Sequence, residues 1–379
     1  MFNFLRRIDS FFIRLAILVI KPRKAQDAVL KDIREILCIK LWGIGNLTII
    51  YPLIDRLKAR YPRAQITFIT FDINRGFLER HPAINRIIYF KFTVNIFRIF
   101  AQSAALIKEF RARQLDMVIN FETFNSASAV FAYLTKAPLR VGLNNKYEGV
   151  FYTHPVNRKV HAHISEVFSD LLRSLNMTFC YAYYFFPVND AQARFVEQQL
   201  RGHNGARVCL HPGTSENFAG RRGKEEFFVE LADFIIKTYG LPVYFTGSKK
   251  ENTIIAGIIE KVADKDKVFN FAGRFSIWEL LEFLRGCRLF VSSDTGPAHL
   301  AASLHLNTIV VFGPNSPERY RSLNSNSLVF YKGCSCSPCM GSEFMTKKCR
   351  INYKCLDFNP EETFARISES FDEVLKKGC

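Results

Sequence analysis

Acidic side chains are scarce in this sequence relative to basic ones. Asp and Glu together number 35, against 52 Lys and Arg, and the formal net charge is +17 over 379 residues. Such an excess of positive charge raises the local concentration of anionic partners, which include nucleotides, acidic lipid headgroups and nucleic acids. The cations are spread along the chain, and no zinc-finger, RRM or basic-helix pattern accompanies them. We therefore expect no nucleic-acid partner.

The N-terminal stretch 1–24 lacks a long uninterrupted apolar run. It resembles a signal peptide in having Arg6 and Arg7 before an apolar segment, but Asp9 and Arg14 interrupt it and no small-residue cleavage site follows. It is also too short and too charged to span a bilayer. The pattern favours an amphipathic helix lying on a membrane surface. A helix packed on the protein's own core and a cleaved signal are the alternatives.

Cysteine is too sparse for a disulfide scaffold, at ten residues in the whole chain. Four lie in apolar runs and are predicted to be buried: Cys38, Cys180, Cys209 and Cys287. Five others lie close together in the sequence: Cys334, Cys336, Cys339, Cys349 and Cys355. Their short spacings are compatible with a structural zinc but match no recognised ribbon or finger. Thiols in a surface loop, or one or two disulfides, are the other interpretations, and the distribution as a whole favours a reducing cytoplasm.

Short apolar runs alternate with helical periodicity in the first half of the chain. The predicted strands are ILCIKL (36–41), QITFITF (65–71), RIIYF (86–90), MVINF (117–121) and LRVGL (139–143). Strands that are apolar on both faces and alternate with helices indicate a parallel sheet covered on both sides.

The alternation breaks in a polar stretch at 187–205 and then restarts. The second set of predicted strands is ARVCLH, PVYFTG, KVFNFAG, RLFVSS and TIVVFG. The sequence therefore predicts an α/β protein with two Rossmann-like doubly wound domains facing a cleft. We place the first domain at 25–190 and the second at 191–379, the latter with a Cys-rich segment at 334–355 and a C-terminal amphipathic helix.

The most informative motif is Asp294-Thr295-Gly296, which follows a predicted strand and begins a helix. Ligands of open α/β sheets bind just outside the carboxyl ends of strands. With Asp294 as N-cap, open backbone N–H groups and the helix dipole, this position makes a seat for a phosphate or diphosphate. The alternative interpretation is an ordinary capped helix.

Two further turns follow predicted strands and add polar groups. Thr214 and Ser215 stand in HPGTS, with Arg221 and Lys224 shortly behind them. Hydroxyls and cations together suit a leaving diphosphate, although a solvated basic turn is the alternative. Glu251, in the turn GSKKE, is a candidate acceptor for ribose hydroxyls; alone it would be a routine helix-start carboxylate.

These motifs together resemble one glycosyltransferase family. DTGPAHLA, HPG with RRGK, GSKKE and the stretch NFAGRFSIWELLEFLRGCRLFVSSDTG, with the N-terminal IKLWGIGNLTIIYPLIDRLKARYPRAQITFIT, are similar to glycosyltransferase family 9, the ADP-heptose:lipopolysaccharide heptosyltransferases. The resemblance covers roughly residues 34–375. It implies a GT-B fold and inverting transfer from a nucleoside-diphosphate sugar, with no required cofactor and no metal at the catalytic centre.

The resemblance also implies roles for residues at matching positions. The donor-binding residues would be Thr214, Ser215, Arg221, Glu251, Asp294, Thr295, Gly296 and His299. Arg221 would neutralise the diphosphate, and Glu251 would face the nucleoside. The implied partners are an ADP-heptose-like donor, a lipid-linked or lipopolysaccharide-core acceptor and an anionic membrane surface, with the protein peripheral on the cytoplasmic face of the inner membrane.

One position departs from the family pattern. The first turn of the family usually presents Gly-Asp, whose carboxylate is the general base, whereas this chain has Gly45-Asn46. An amide cannot accept the proton of the acceptor hydroxyl. Three explanations stay open. Another strand-end carboxylate acts as the general base, and Glu122 is preferred to Asp72 for this role. Alternatively, Asn46 only orients the acceptor while stabilisation of the leaving group provides most of the rate, or the protein is a catalytically weak relative.

The sequence thus predicts an inverting glycosyltransferase that moves a heptose to a lipopolysaccharide-core or other lipid-linked saccharide. Two rival functions stay open. One is a non-catalytic nucleotide-sugar or glycan-binding protein, which the amide at Asn46 suggests. The other is a transferase for a different sugar, such as an N-acetylhexosamine.

Overall fold

The computed structural model describes most of the chain. The described residues are 32–91, 95–123, 126–145, 147–200, 203, 205–214, 220–339, 349 and 351–376. The surface helix expected at 1–24 and the candidate ligand Ser215 lie outside them. Contacts divide the chain into two units, Met1–Ala182 and Tyr183–Cys379, whereas the sequence-based domain limits place the division a few residues later.

The first unit is built on a six-stranded sheet in which every neighbouring pair is parallel. The strands are β1 (Glu35–Ile39), β2 (Gln65–Phe71), β3 (Arg86–Phe90), β4 (Met117–Asn120), β5 (Leu139–Asn144) and β6 (His154–Asn157). The helices are α1 (Ile44–Arg60), α2 (Ile96–Ala112), α3 (Ser126–Leu134) and α4 (Ile164–Arg173). The strand order is β3-β2-β1-β4-β5-β6.

The second unit repeats this plan. Its strands are β7 (Arg207–His211), β8 (Val243–Phe245), β9 (Val268–Asn270), β10 (Cys287–Ser293), β11 (Asn307–Phe312) and β12 (Ser327–Tyr331). Its helices are α5 (Asp190–Gln199), α6 (Glu225–Tyr239), α7 (Asn252–Lys261), α8 (Ile277–Arg285), α9 (Gly296–Ser303), α10 (Pro317–Tyr320) and α11 (Pro360–Lys376). The parallel strands lie in the order β12-β11-β10-β7-β8-β9.

Both sheets have the doubly wound order, in which the chain starts at the centre, runs to one edge and returns to fill the other. The direction of winding changes between β1 and β4 in the first unit, and between β7 and β10 in the second. Loops from neighbouring strands diverge at such a switch point, so a crevice opens at the carboxyl ends of the strands. The predicted α/β fold class, two Rossmann-like units of the GT-B type, is confirmed.

The second sheet is covered by apolar helix faces, which explains why its strands are apolar on both sides. Phe228, Leu231 and Ile235 of α6 are fully buried against β7 and β8. Ile367 and Leu375 of the C-terminal helix α11 belong to the same buried cluster. Each such side chain contributes roughly 1.5–3 kcal/mol when it leaves water, so α11 is an integral part of this unit.

Two strands were missed by the sequence analysis, and one cysteine was misplaced. Both β6 and β12 lie at sheet edges, and β6 is a short segment, HPVN, whose Pro155 removes a backbone donor that only an edge strand can spare. Cys38, Cys209 and Cys287 are buried as predicted, but the prediction for Cys180 is wrong because that side chain is exposed. Within the described ranges, no helix is both long and apolar enough to cross a membrane.

Gly142 of β5 provides a test of the first core. A Cβ atom at this position would lie 2.1 Å from the ring of Tyr152, which is buried. We expect Gly142→Ala to lower the free energy of unfolding by about 1–3 kcal/mol, because a packed ring must move. In the matched control Gly257→Ala, the added methyl on α7 meets nothing within 4 Å, and we expect a gain of up to ~1 kcal/mol. Urea denaturation measures both; equal stabilities would contradict the packing described.

Candidate functional site

The switch point of the second unit brings two of the predicted motifs together. β7 and β10 are neighbours, and His211 at the end of β7 pairs with Ser292 of β10. The turn Pro212-Gly213-Thr214 and the turn Asp294-Thr295 therefore leave the sheet side by side at its carboxyl edge. A ligand in this crevice would contact both turns.

Asp294 is the centre of a buried polar network at this edge. Its side chain is 7% exposed, and its Oδ2 atom lies 3.0 Å from Nη1 of Arg221. The Nδ2 group of Asn315 donates to the same oxygen at 2.6 Å. The predicted donor residues Arg221 and Asp294 are thus in direct contact, although 72 residues separate them in the sequence, and Asn315 was not predicted.

The prediction that Asp294 caps the following helix is wrong. Thr295 is the N-cap residue of α9, and its side chain makes no capping hydrogen bond. Asp294 points to Arg221 and Asn315 instead, because a carboxylate gains more from a cation than from a backbone amide. Gly296 begins the helix, as predicted. The positive end of the α9 dipole remains directed at the crevice.

Ser293 fixes the basic loop to the sheet. The backbone N–H of Gly223 donates to Ser293 Oγ at 2.9 Å, and Ser293 Oγ donates to the carbonyl of Pro212 at 3.5 Å. One hydroxyl therefore joins the β10 end to both the β7 turn and the Arg-rich loop. This arrangement holds Arg221 over the switch point.

Glu251 lies against the β7 turn. A Cβ atom at Gly213 would stand 2.2 Å from Glu251 Oε1, so only glycine allows this approach. The other oxygen, Oε2, accepts the backbone N–H of Ser248 at 2.6 Å as part of a capping box. Thr214, next in the turn, is 5% exposed. The structure thus brings the predicted residues Thr214 and Glu251 into neighbouring turns.

His299 is positioned by a residue that the sequence analysis missed. Its Nδ1 atom lies 3.1 Å from the hydroxyl of Tyr183, to which the backbone N–H of Leu323 also donates. Burial raises the pKa of Tyr183 to about 12, so the phenol stays protonated at neutral pH. Tyr183 belongs to the aromatic run YAYYFF (181–186), which gives no indication by itself of which ring faces the site.

Lys224, which was also predicted to bind the donor, contacts a residue that is not among the other donor-binding candidates. Its ammonium group forms an ion pair with Asp357, in the segment that precedes α11. The side chain is partly exposed, and it is the N-cap residue of α6. Lys224 therefore ties the basic loop to the C-terminal segment, and its role in donor binding stays a prediction.

The first unit places its three candidate catalytic residues at one sheet edge. Asp72 follows β2, Asn46 stands in the first turn of α1 after β1, and Glu122 follows β4. These three strands are adjacent, with β1 in the middle. Asn46 is half-buried and Asp72 is exposed. The loops that carry the candidate base residues therefore leave the sheet next to one another.

Glu122 is held in a buried ion pair. Its Oε2 atom lies 3.4 Å from the ammonium group of Lys40, and both side chains are 1% exposed. The backbone N–H of Leu41 donates to Oε1. Burial lowers the pKa of Lys40, an effect that the Glu122 carboxylate opposes. Both oxygens of Glu122 thus have partners within the protein.

The Cys-rich segment is only partly described. Burial raises the pKa of the Cys355 thiol to about 11, and the neighbouring Cys334, Cys339 and Cys349 add to the shift. Cys336 is exposed. In the described part of the chain, no group of three or more His, Cys, Asp or Glu is arranged to hold a metal ion. The structural zinc stays a prediction.

The chain is similar in sequence and in fold to several known proteins. The lipooligosaccharide heptosyltransferase 2 of Haemophilus ducreyi is 23% identical over 309 residues, which is 78% of this chain and 88% of that protein. A solved glycosyl transferase of family 9 from Veillonella parvula covers 92% of this chain and 99% of its own, with a TM-score of 0.74 and 19% identity. The Escherichia coli ADP-heptose LPS heptosyltransferase II has a TM-score of 0.71 at 19% identity and covers 90% of this chain and 98% of its own. At such identities the solved structures establish a shared fold. The model of glycosyltransferase family 9 (heptosyltransferase) matches residues 103–349, well over half of the chain, and the protein is therefore a glycosyltransferase that belongs to this family.

Proposed function

We propose that the protein transfers a heptose, with inversion, from ADP-heptose to a saccharide of the lipopolysaccharide core. The contact that carries the donor half of the proposal is the Arg221–Asp294 pair at the switch point of the second unit. The names of the relatives support the choice of sugar and acceptor, since they include a lipooligosaccharide heptosyltransferase and an ADP-heptose LPS heptosyltransferase. Ser215, outside the described residues, is carried in the proposal by its place in the HPGTS turn.

Some of the proposed donor-binding residues supply positive charge, and others position the donor. Arg221 and the N-terminus of α9 supply positive potential to the diphosphate, which gains negative charge as the bond to the sugar breaks. Asp294 orients Arg221 through Oδ2, while Oδ1, for which the described residues provide no donor, is available to a sugar hydroxyl. Thr214 and Thr295 offer hydroxyls to phosphate, His299 faces the sugar, and Glu251 accepts from the nucleoside.

The transfer step requires a proton acceptor in the first unit. The acceptor oxygen attacks the anomeric carbon, the bond from that carbon to the β-phosphate oxygen breaks, and ADP leaves with the electron pair. The proton of the attacking hydroxyl must pass to a base, which Asn46 cannot be. Glu122 is paired with Lys40 and would have to exchange a protein partner for the substrate hydroxyl, whereas Asp72 is exposed and needs no such exchange. We retain Glu122 as the proposed base, with Asp72 as the alternative.

The donor site predicts a loss of ADP affinity in Arg221→Met. Hydrogen bonds to charged groups contribute about 1.5–3 kcal/mol, so the dissociation constant of ADP should rise roughly 10- to 150-fold. Lys237→Met is the matched control, because Lys237 is an exposed residue on α6. Isothermal titration of ADP into each variant is the measurement. An unchanged affinity in Arg221→Met would remove Arg221 from the donor site.

The proposed base predicts that Glu122→Gln lowers kcat by roughly 10²-fold or more while ADP affinity stays unchanged. Release of ADP that depends on an acceptor glycan is the readout, and Asp72→Asn is the parallel variant. Because Glu122→Gln also disrupts the pair with Lys40, its melting temperature is recorded and kcat is compared below that temperature. Loss of activity in Asp72→Asn alone would assign the base to Asp72. Full activity in both variants would leave leaving-group stabilisation as the main source of rate.

An exposed apolar surface in the first unit supports docking on an anionic membrane. Ile73, Phe97 and Phe100 are 62%, 86% and 54% exposed, respectively. β2 and β3 are neighbours with Phe71 opposite Phe90, so Ile73 and the start of α2 leave the same sheet edge as Asp72. Arg98, between the two Phe residues, is also exposed. Exposed rings beside cations, on a chain with a net charge of +17, match an anionic lipid surface.

The double variant Phe97→Ser/Phe100→Ser is therefore expected to bind vesicles at least tenfold more weakly, since each ring loses the apolar area that it buries in lipid. Sedimentation with vesicles of phosphatidylglycerol and phosphatidylethanolamine measures the binding, and ADP affinity should not change. Val188→Ser is the control, because Val188 is 60% exposed but belongs to the second unit. Equal vesicle binding by wild type and double variant would refute this surface.

A further inference from the structure

The loop after β11 contains an unusual concentration of buried polar side chains. Asn315, Ser316, Arg319 and Ser322 are all buried, at 5–8% exposed. Loop side chains normally face water, and buried polar groups normally have hydrogen-bond partners. Asn315 has one in Asp294. Arg319 and Ser322 do not follow this rule.

Two side-chain nitrogens of Arg319 have no hydrogen-bond acceptor among the described residues. Its Nε and Nη2 atoms are buried, and neither has a hydrogen-bond partner in the part of the chain that the structure describes. No ion pair to Arg319 is formed within the described ranges, and Glu318 beside it is exposed. A guanidinium group keeps its proton at any physiological pH, so burial cannot be relieved by neutralising it. A buried cation without a counter-charge is costly, and an anion that binds here would remove that cost.

Two hydroxyls in the segments that follow β10 and β11 also lack partners within the described ranges. The hydroxyls of Ser322 and Thr295 are also buried without a partner among the described residues. Arg319 offers only donors, and a hydroxyl donates readily to an anion. Unmatched donors on two adjacent strand-end loops, after β10 and β11, therefore favour an acceptor-rich ligand such as an oxyanion.

Two contacts anchor the segment that carries Arg319 to residues of the proposed donor site. At the start of the loop, Asn315 binds Asp294; at its end, the backbone N–H of Leu323 donates to Tyr183, whose hydroxyl contacts His299. Arg319 and Ser322 lie between these two anchors along the chain. The residues held by these anchors, Asp294 and His299, are those to which the proposed function assigns the orientation of Arg221 and the binding of the sugar.

We propose that Arg319 and Ser322 form a second anion subsite, which binds a phosphate or carboxylate oxygen of a substrate next to the diphosphate seat. This proposal rests on the proposed function for the identity of the substrates. The oxyanion belongs either to the donor diphosphate or to an acidic group on the acceptor. In both cases Arg319 contributes to specificity, because a substrate without the anion leaves the guanidinium unmatched.

The test uses the full chain with Arg319→Met, Arg319→Lys and the control Arg194→Met, an exposed arginine on α5. Two measurements distinguish the two possible sources of the oxyanion. Titration with ADP alone tests the donor diphosphate, and the KM for the acceptor tests an acidic group on the acceptor. Arg319→Met should weaken one of them roughly tenfold or more, with Arg319→Lys intermediate because it keeps the charge but not the planar fork. Values within twofold of wild type for both ligands would overturn the proposal.

The melting temperature without ligand supplies an independent readout. A buried cation that awaits an anion destabilises the unliganded protein, so Arg319→Met should melt at or above the wild-type temperature. An arginine with a purely structural role would give the opposite result, and a lower melting temperature together with unchanged binding would overturn the subsite. Pyrophosphate, added as a simple anion, should raise the melting temperature of wild type more than that of Arg319→Met. This comparison needs no sugar transfer, so it separates failure of the subsite from failure of the proposed heptosyl transfer.

Discussion

The adjacency of β7 and β10 is the constraint on which the second unit's chemistry depends. β7 ends at His211 and β10 begins only at Cys287, yet the two strands pair in parallel at the centre of the sheet. Because the winding direction changes between them, their following turns separate and leave room for a ligand. Asp294 then reaches Arg221, and Ser293 reaches both Gly223 and Pro212. A different strand order would leave the same residues on unrelated parts of the sheet.

Much of this architecture follows from local patterns in the sequence. Buried parallel strands are continuous apolar runs, so ten of the twelve described strands are recognisable, whereas the edge strands β6 and β12 are not. The residues of DTG and HPGT were identifiable because glycine and hydroxyl groups directly follow such runs. Asn315 and Tyr183 could not be identified in this way. Their importance comes from contacts with Asp294 and His299 across 21 and 116 residues, and no local pattern encodes such a contact.

The same limit explains the error at Asp294. From sequence, an acidic residue before a helix is most simply an N-cap, since capping is a local interaction. The fold offers Asp294 a partly buried arginine and an asparagine, and these partners compete successfully with the backbone amides of α9. Glu122 shows a related effect in the first unit. The sequence identifies a strand-end carboxylate, but only the fold reveals that Lys40, directly after β1, lies 3.4 Å from it. A residue's position at a sheet edge thus predicts its neighbourhood better than the partners of its side chain.

Two buried arginines of this chain show how the need for an anion can be distinguished from ordinary burial. Arg140 is 2% exposed, yet its Nε donates to the carbonyl of Phe151 and its Nη1 to that of Ala137. Backbone carbonyls stabilise that guanidinium within the fold, and no ligand is needed to explain it. Arg319 is nearly as buried, but its Nε and Nη2 face no such carbonyl among the described residues. Since both side chains carry the same obligatory charge, the difference lies in the acceptors supplied by the fold. At Arg140 backbone carbonyls supply them to Nε and Nη1, whereas at Arg319 the fold leaves them to be supplied by a substrate.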